Sequence, residues 1–125
     1  MGALLVFTGA GIGGVARYAL GTWVQQLVGS GFPWGTLTIN ITGSIALGFL
    51  YSFLEGTIAA PEWRLFIGIG FCGGYTTFSA FSYESIRLLQ DGDWGRATTY
   101  VLASVLLSLG GVFLGLRIAT VLRSA

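Results

Sequence analysis

The sequence predicts an all-α integral membrane protein of four transmembrane helices, the third of them broken. Three observations predict it. Of the 125 residues, 54% are hydrophobic and only 9% charged, where a soluble domain carries about a quarter charged residues. Mean hydropathy is +0.79. The apolar residues gather into four runs, each near the roughly 20 residues a helix needs to cross a bilayer. The third run carries three glycines within five residues, followed by hydroxyls and phenylalanines.

The same composition removes several classes of function. Histidine is absent and every basic residue is an arginine, so no imidazole serves catalysis or metal binding. A net charge of +1 points to neither nucleic acid nor an acidic partner. Cys72 is the only cysteine, which excludes an intrachain disulfide and a thiolate metal cluster. It reads as a small buried residue beside the break. Without paired intramembrane carboxylates or a nucleophile–base pair, no enzyme is expected.

The runs span residues 3–28, 35–54, 64–89 and 94–122, joined by short connections at 29–34, 55–63 and 90–93. No connection is large enough to fold separately, so residues 1–125 are expected to form a single four-helix transmembrane domain. The first run has no basic leader and no convincing small-residue cleavage site, so it reads as an anchor. It carries Gly9, Gly11, Gly13 and Gly14, and the pair Gly9–Gly13 has the spacing that lets helix backbones approach closely. Arg17 follows. Either it snorkels to a nearby interface, or it is a cation in an aqueous vestibule that attracts anions.

Pro33-Trp34 opens the second run at an interface, where tryptophan is favoured. Thr36, Asn40 and Ser44 then recur at i, i+4 and i+8, on one helix face. An amide in hydrocarbon needs partners. Asn40 reads either as hydrogen-bonding glue between helices or as a donor of two N–H groups to a passing anion.

The third run contains Gly70-Phe71-Cys72-Gly73-Gly74-Tyr75-Thr76-Thr77-Phe78-Ser79-Ala80-Phe81-Ser82. Gly73 and Gly74 at a helix centre each cost about 1 kcal/mol relative to alanine, and Thr76 and Thr77 can bond their own backbone instead of the ladder. The helix is expected to break here and restart near Thr77. Backbone of that kind is tolerated at membrane depth only where protein buries it or a polar path needs it, and in transporters such breaks hold ions. Beyond it, Phe78 and Phe81 share a face, interleaved with Ser79, Ser82 and Ser85. Ring edges carry the positive part of the aromatic quadrupole, and hydroxyls donate to anions. Glu84 and Arg87, three apart, are expected to pair. In the fourth run Tyr100, Ser104 and Ser108 form a polar face that Gly111 and Gly115 continue.

The loops leave orientation balanced. Arg64, Arg117 and Arg123 fall on one side, and Arg17, Arg87 and Arg96 on the other, so the positive-inside rule chooses neither. No internal inverted repeat is visible. Two copies in opposite orientations would supply the symmetry from which midplane sites are built.

Taken together, residues 70–84, residues 35–40 (Gly-Thr-Leu-Thr-Ile-Asn) and residues 14–18 (Gly-Val-Ala-Arg-Tyr) resemble three signatures of the Fluc (CrcB) family of fluoride channels. The resemblance covers nearly the whole chain. It implies a dual-topology antiparallel homodimer in the bacterial or archaeal plasma (inner) membrane, enclosing two pathways through which fluoride leaves passively. By position it implies that Phe78 and Phe81 line the pathways and Asn40 faces fluoride. Tyr100, Ser104 and Ser108 would continue a polar track beside Ser79 and Ser82. It also implies a structural sodium ion at the dimer centre, held by the backbone carbonyls of Gly73 and Thr76. Tyr75 and Ala80 depart from the family pattern, and Ala80 removes one hydroxyl.

The residues suit that chemistry. Fluoride is small and strongly hydrated, so a dry passage must replace its water with many weak donors, weak enough that the ion leaves again. A buried cation nearby favours anions without a tightly binding lysine. A small multidrug-resistance-type transporter has similar size, but it requires an acidic residue in the first helix, and none occurs before Glu55. A structural subunit of a membrane complex would use the same glycines and hydroxyls for packing alone.

Overall fold

The computed structural model describes residues 1–58 and 60–125, and every regular element among them is helical. We number the elements α1 (Gly2–Val28), α2 (Trp34–Phe53), α3, α4 (Phe78–Gln90) and α5 (Trp94–Ser124). α3 comprises an α-helical turn Ala60–Trp63, a wider π-wound stretch Arg64–Cys72 and a last α-helical turn Gly73–Tyr75. Four helical spans are long and apolar enough to cross a membrane: Gly2–Val28, Trp34–Phe53, Ala60–Gln90 and Trp94–Ser124. They match the four apolar runs and extend the fourth to Ser124.

Between α1 and α2, Gly29 and Gly31 take positive φ (111° and 102°), which reverses the chain in a few residues. One amide fixes that turn. The Gln25 side chain donates to the carbonyls of Gly29 (2.6 Å) and Phe32 (2.9 Å) and accepts from the Gly35 N–H (3.0 Å). Three backbone groups at helix ends are thereby satisfied without water.

The third span is interrupted at its threonines. Gly73 keeps helical dihedrals (φ −63°, ψ −39°). Thr76 (φ −89°, ψ 159°) and Thr77 (φ −151°, ψ 118°) are extended, and winding resumes at Phe78. Thr77 caps the new helix, its hydroxyl accepting from the Ala80 N–H at 3.1 Å.

The glycines serve close approach instead. A Cβ at Gly9 or Gly13 would collide with the carbonyls of Phe66 and Phe71, and one at Gly74 with the carbonyl of Ala10. α1 and α3 therefore meet backbone to backbone, as the Gly9–Gly13 spacing suggested. α2 and α5 run side by side in the same sense, with Gly111 against Ile41 and Gly115 against Ile45. Gly48 has no room for a Cβ beside the Val112 carbonyl.

Glu84 departs from expectation. Its carboxylate accepts from the Thr36 hydroxyl and the Tyr100 hydroxyl, each at 3.0 Å. The one ion pair among the described residues joins Arg96 to Asp93, at 3.4 Å. The part-buried Thr36 hydroxyl and the buried Tyr100 hydroxyl take the carboxylate, and no ion pair to Arg87 forms.

Candidate functional site

The site is built around the interruption in the third span. Asn40, on the middle of α2, faces Thr77 and closes a two-point bond with its backbone. The side-chain Oδ1 accepts from Thr77 N–H at 2.8 Å, and Nδ2 donates to the Thr77 carbonyl at 3.1 Å. Asn40 is thus the partner that makes the extended residue tolerable: it supplies both bonds that a strand or helix ladder would have given. One of its two N–H groups is taken by Thr77, leaving one for a ligand.

This clamp has a consequence for the neighbouring carbonyls. In an unbroken helix the Thr77 N–H would donate to Gly73 and the Ala80 N–H to Thr76. Here the first goes to Asn40 and the second to the Thr77 hydroxyl. The carbonyl oxygens of Gly73 and Thr76 are therefore released from the ladder. Neutral carbonyl oxygens suit a hard cation, so the donor set is compatible with the sodium ion that the family resemblance implies. No cluster of His, Cys, Asp or Glu able to hold a metal exists among the described residues. One chain offers two such oxygens, and a second copy would double them.

A cleft of about 670 Å³ opens beside the clamp. Asn40, Gly43, Ser44, Thr76, Thr77, Phe78, Phe81, Ser104 and Ser108 line it with several aliphatic residues, and no acidic or basic side chain does. Polar groups come from both α2 (Asn40, Ser44) and α5 (Ser104, Ser108). Ser104 is only 7% exposed, and its hydroxyl has no hydrogen-bond partner among the described residues. An unpaired buried hydroxyl costs about 1–3 kcal/mol. It is a donor waiting for an acceptor.

The two phenylalanines differ. Phe78 is 78% exposed and stands out from the helix, whereas Phe81 is half-buried against Tyr100. Their ring centroids lie 5.6 Å apart at 47°, so ring edges of both can face one small anion.

A second cleft, of about 530 Å³, lies on the other side of the clamp and shares Thr77 with the first. Arg17, Thr22, Gln25, Thr36 and Glu84 give it a polar wall. Arg17 is exposed there, and its Nε donates to the Gly74 carbonyl at 3.0 Å. That bond caps the carbonyl end of α3, where a cation is favoured. Arg17 thus lines the second cleft and also ties α1 to the interruption.

The remaining candidates fall outside both clefts. Tyr100 is fully buried (0% exposed) with its hydroxyl given to Glu84. The Ser82 hydroxyl donates back to the Phe78 carbonyl at 2.9 Å, and Ser79 shares a 3.2 Å bond with the Thr77 hydroxyl. Within one chain these three sit around the site and do not line it. Sequence reasoning had Thr77 bond its own backbone but did not identify it as the cap of the new helix, although its place just before a restart is a capping signal.

Comparison with known proteins places the chain in a family. The family model "CrcB-like protein, Camphor Resistance (CrcB)" matches residues 4–116. The fluoride-specific ion channel FluC of Rhizobium meliloti is 48% identical over 116 residues, covering 92% of this chain and 93% of that one. FluC of Koribacter versatilis is 49% identical over 110 residues, 87% of each chain. FluC of Thermus thermophilus is 47% identical over 116 residues, 92% of this chain and 91% of that one.

Proposed function

The chain belongs to the CrcB-like family, and from that premise we propose that it is a fluoride-selective ion channel, not an enzyme, that lets fluoride leave the cell passively through a multi-pass membrane protein. The observation within the chain that carries this reading is Ser104. Its hydroxyl is buried and unpartnered, and the residue belongs to the wall of a cleft whose lining holds no fixed charge. Such a lining binds an anion by several neutral donors at once, weakly enough for release.

In this reading fluoride leaves the Arg17 vestibule and passes the free N–H of Asn40. It then meets the ring edges of Phe78 and Phe81 and the hydroxyls of Ser104 and Ser108. Each donor replaces part of a water shell, and none is a cation that would trap the ion. Tyr100, Ser79 and Ser82 keep that route in shape by holding Glu84, Thr77 and the first turn of α4.

The assembly we propose is an antiparallel homodimer with two such pathways, in the plasma (inner) membrane of a bacterium or archaeon. The balanced arginines give either orientation the same standing. The released carbonyls of Gly73 and Thr76, brought together from two copies, would hold a sodium ion. When bound, that ion supplies positive potential between the pathways and a fixed link between the subunits.

The test is efflux from liposomes loaded with fluoride or with chloride. Rapid fluoride loss with chloride retained is the expected result. Equal loss of both ions, or of neither, overturns the assignment.

A further inference from the structure

The cleft that begins at Asn40 ends at Tyr51, three helical turns or about 16 Å further along α2. Tyr51 is held there from two sides by α3. The Arg64 guanidinium carbon lies 5.0 Å over the centroid of its ring. The hydroxyl end of the ring crosses Gly68, where a Cβ would come within 2.6 Å of Cε1 and 2.9 Å of the hydroxyl oxygen. Both Tyr51 and Gly68 line the cleft. Among the described residues Arg64 has no ion-pair partner and the Tyr51 hydroxyl no hydrogen bond.

This end differs from the Asn40 end in what its charge is doing. Arg17 commits its Nε to the Gly74 carbonyl. Arg64 is exposed and makes only the contact with the ring. A guanidinium on an aromatic face is attracted by the ring quadrupole, which fixes its position beside the cleft. Arg64 does not itself line the cleft, but from the Tyr51 ring its field acts on a mouth that no charged side chain lines.

We propose that Tyr51 and Arg64 form an anion-binding station at the mouth of the cleft remote from Asn40, with the Tyr51 hydroxyl donating to fluoride and Arg64 drawing the anion to it. The proposal rests on the channel reading. Arg64 raises the local concentration of anions at the mouth, an effect that salt screens. Tyr51 supplies a short-range donor, which salt does not screen in the same way. The station extends the line of hydroxyls through Ser44 and Ser108 to the end of the cleft.

Fluoride efflux per folded protein tests this, with wild type, Tyr51→Phe, Arg64→Gln and Arg64→Lys compared at low and high ionic strength set by an impermeant salt. Tyr51→Phe should lower flux about fivefold at both ionic strengths, through loss of one donor to a charged partner. Arg64→Gln should lower it about threefold at low ionic strength and much less at high, with Arg64→Lys close to wild type. Wild-type flux from both Tyr51→Phe and Arg64→Gln overturns the station and leaves the channel reading intact. So does an Arg64→Gln loss that ignores ionic strength and is not rescued by lysine, since that is an anchor for the helix end. Wild-type protein that carries no fluoride overturns the channel reading and the station together. Tyr51→Phe removes a single atom, so it decides the matter even where Arg64→Gln fails to assemble.

Discussion

Before the extended threonines, α3 lies with its backbone against α1, and Gly9, Gly13 and Gly74 have no room for a methyl group. After them, α4 is held mainly by polar side chains: Asn40 on Thr77, and Thr36 and Tyr100 on Glu84. The first half is fixed by van der Waals contact along its length, with nothing to adjust. The second is fixed at a few points, which leaves the Phe78 ring uncovered, and beside it on α5 the Ser104 hydroxyl stays unpaired. The half that offers groups to a ligand is the half whose own packing does not consume them. In a membrane this division is sharp, because small-residue contact supplies helix association where no hydrophobic force between helices exists.

If the division is right, the largest effect comes from breaking the backbone contact. Gly13→Leu should abolish recovery of folded protein, since overpacking costs about 1–3 kcal/mol even where neighbours can shift, and here the neighbour is the Phe71 carbonyl. Gly11→Leu, whose Cβ would meet nothing within 4 Å, should be recovered normally. Size-exclusion yield compares the two, and equal yields would remove the first half of the contrast.

Asn40→Asp comes next and strikes the polar half. It keeps the shape, but a carboxylate replaces the group that donates to the Thr77 carbonyl. Leaving an uncompensated buried charge costs about 3–5 kcal/mol, so flux should fall at least roughly a hundredfold. Wild-type efflux from well-folded Asn40→Asp would make Asn40 a packing amide.

Phe78→Leu and Phe81→Leu sharpen the comparison within α4. Each should lower flux about tenfold, the equivalent of about 1.4 kcal/mol, as a ring edge is lost. Only Phe81→Leu should also lower thermal stability, because Phe81 packs on Tyr100 at 5.3 Å while Phe78 is exposed. Thermal melts run beside efflux separate the two readouts. Unchanged flux in both variants would turn this stripe into lipid-facing core.

The smallest effect on flux is expected from Thr36→Val. Glu84 keeps its bond from Tyr100, so the loss is one hydrogen bond to a charged group, about 1.5–3 kcal/mol at most. A melt shifted by a few degrees with flux within about threefold is the expected outcome. Complete loss of flux would mean that Thr36 touches the ion itself.

The sequence by itself determined the four spans, because mean hydropathy and run length depend only on composition along the chain. It also determined that α1 offers a face for close backbone approach, since Gly9 and Gly13 carry their spacing openly, whereas the partner on that face, α3, was decided by the structure. The restart near Thr77 was legible too, because hydroxyl residues next to glycines weaken a helix locally. What only the tertiary structure decided is which partner each polar group takes. Gly73 stays helical, and the winding stops at Thr76 because Asn40, 37 positions away, supplies the bonds that Thr77 would otherwise lack. Glu84 turns from Arg87, its neighbour in sequence, to Thr36 and Tyr100, its neighbours in space. Tyr51 and Arg64 meet over a ring that no periodicity connects. A hydrogen bond or ring contact is short-ranged, so its choice among partners waits until packing has brought distant residues within a few ångströms.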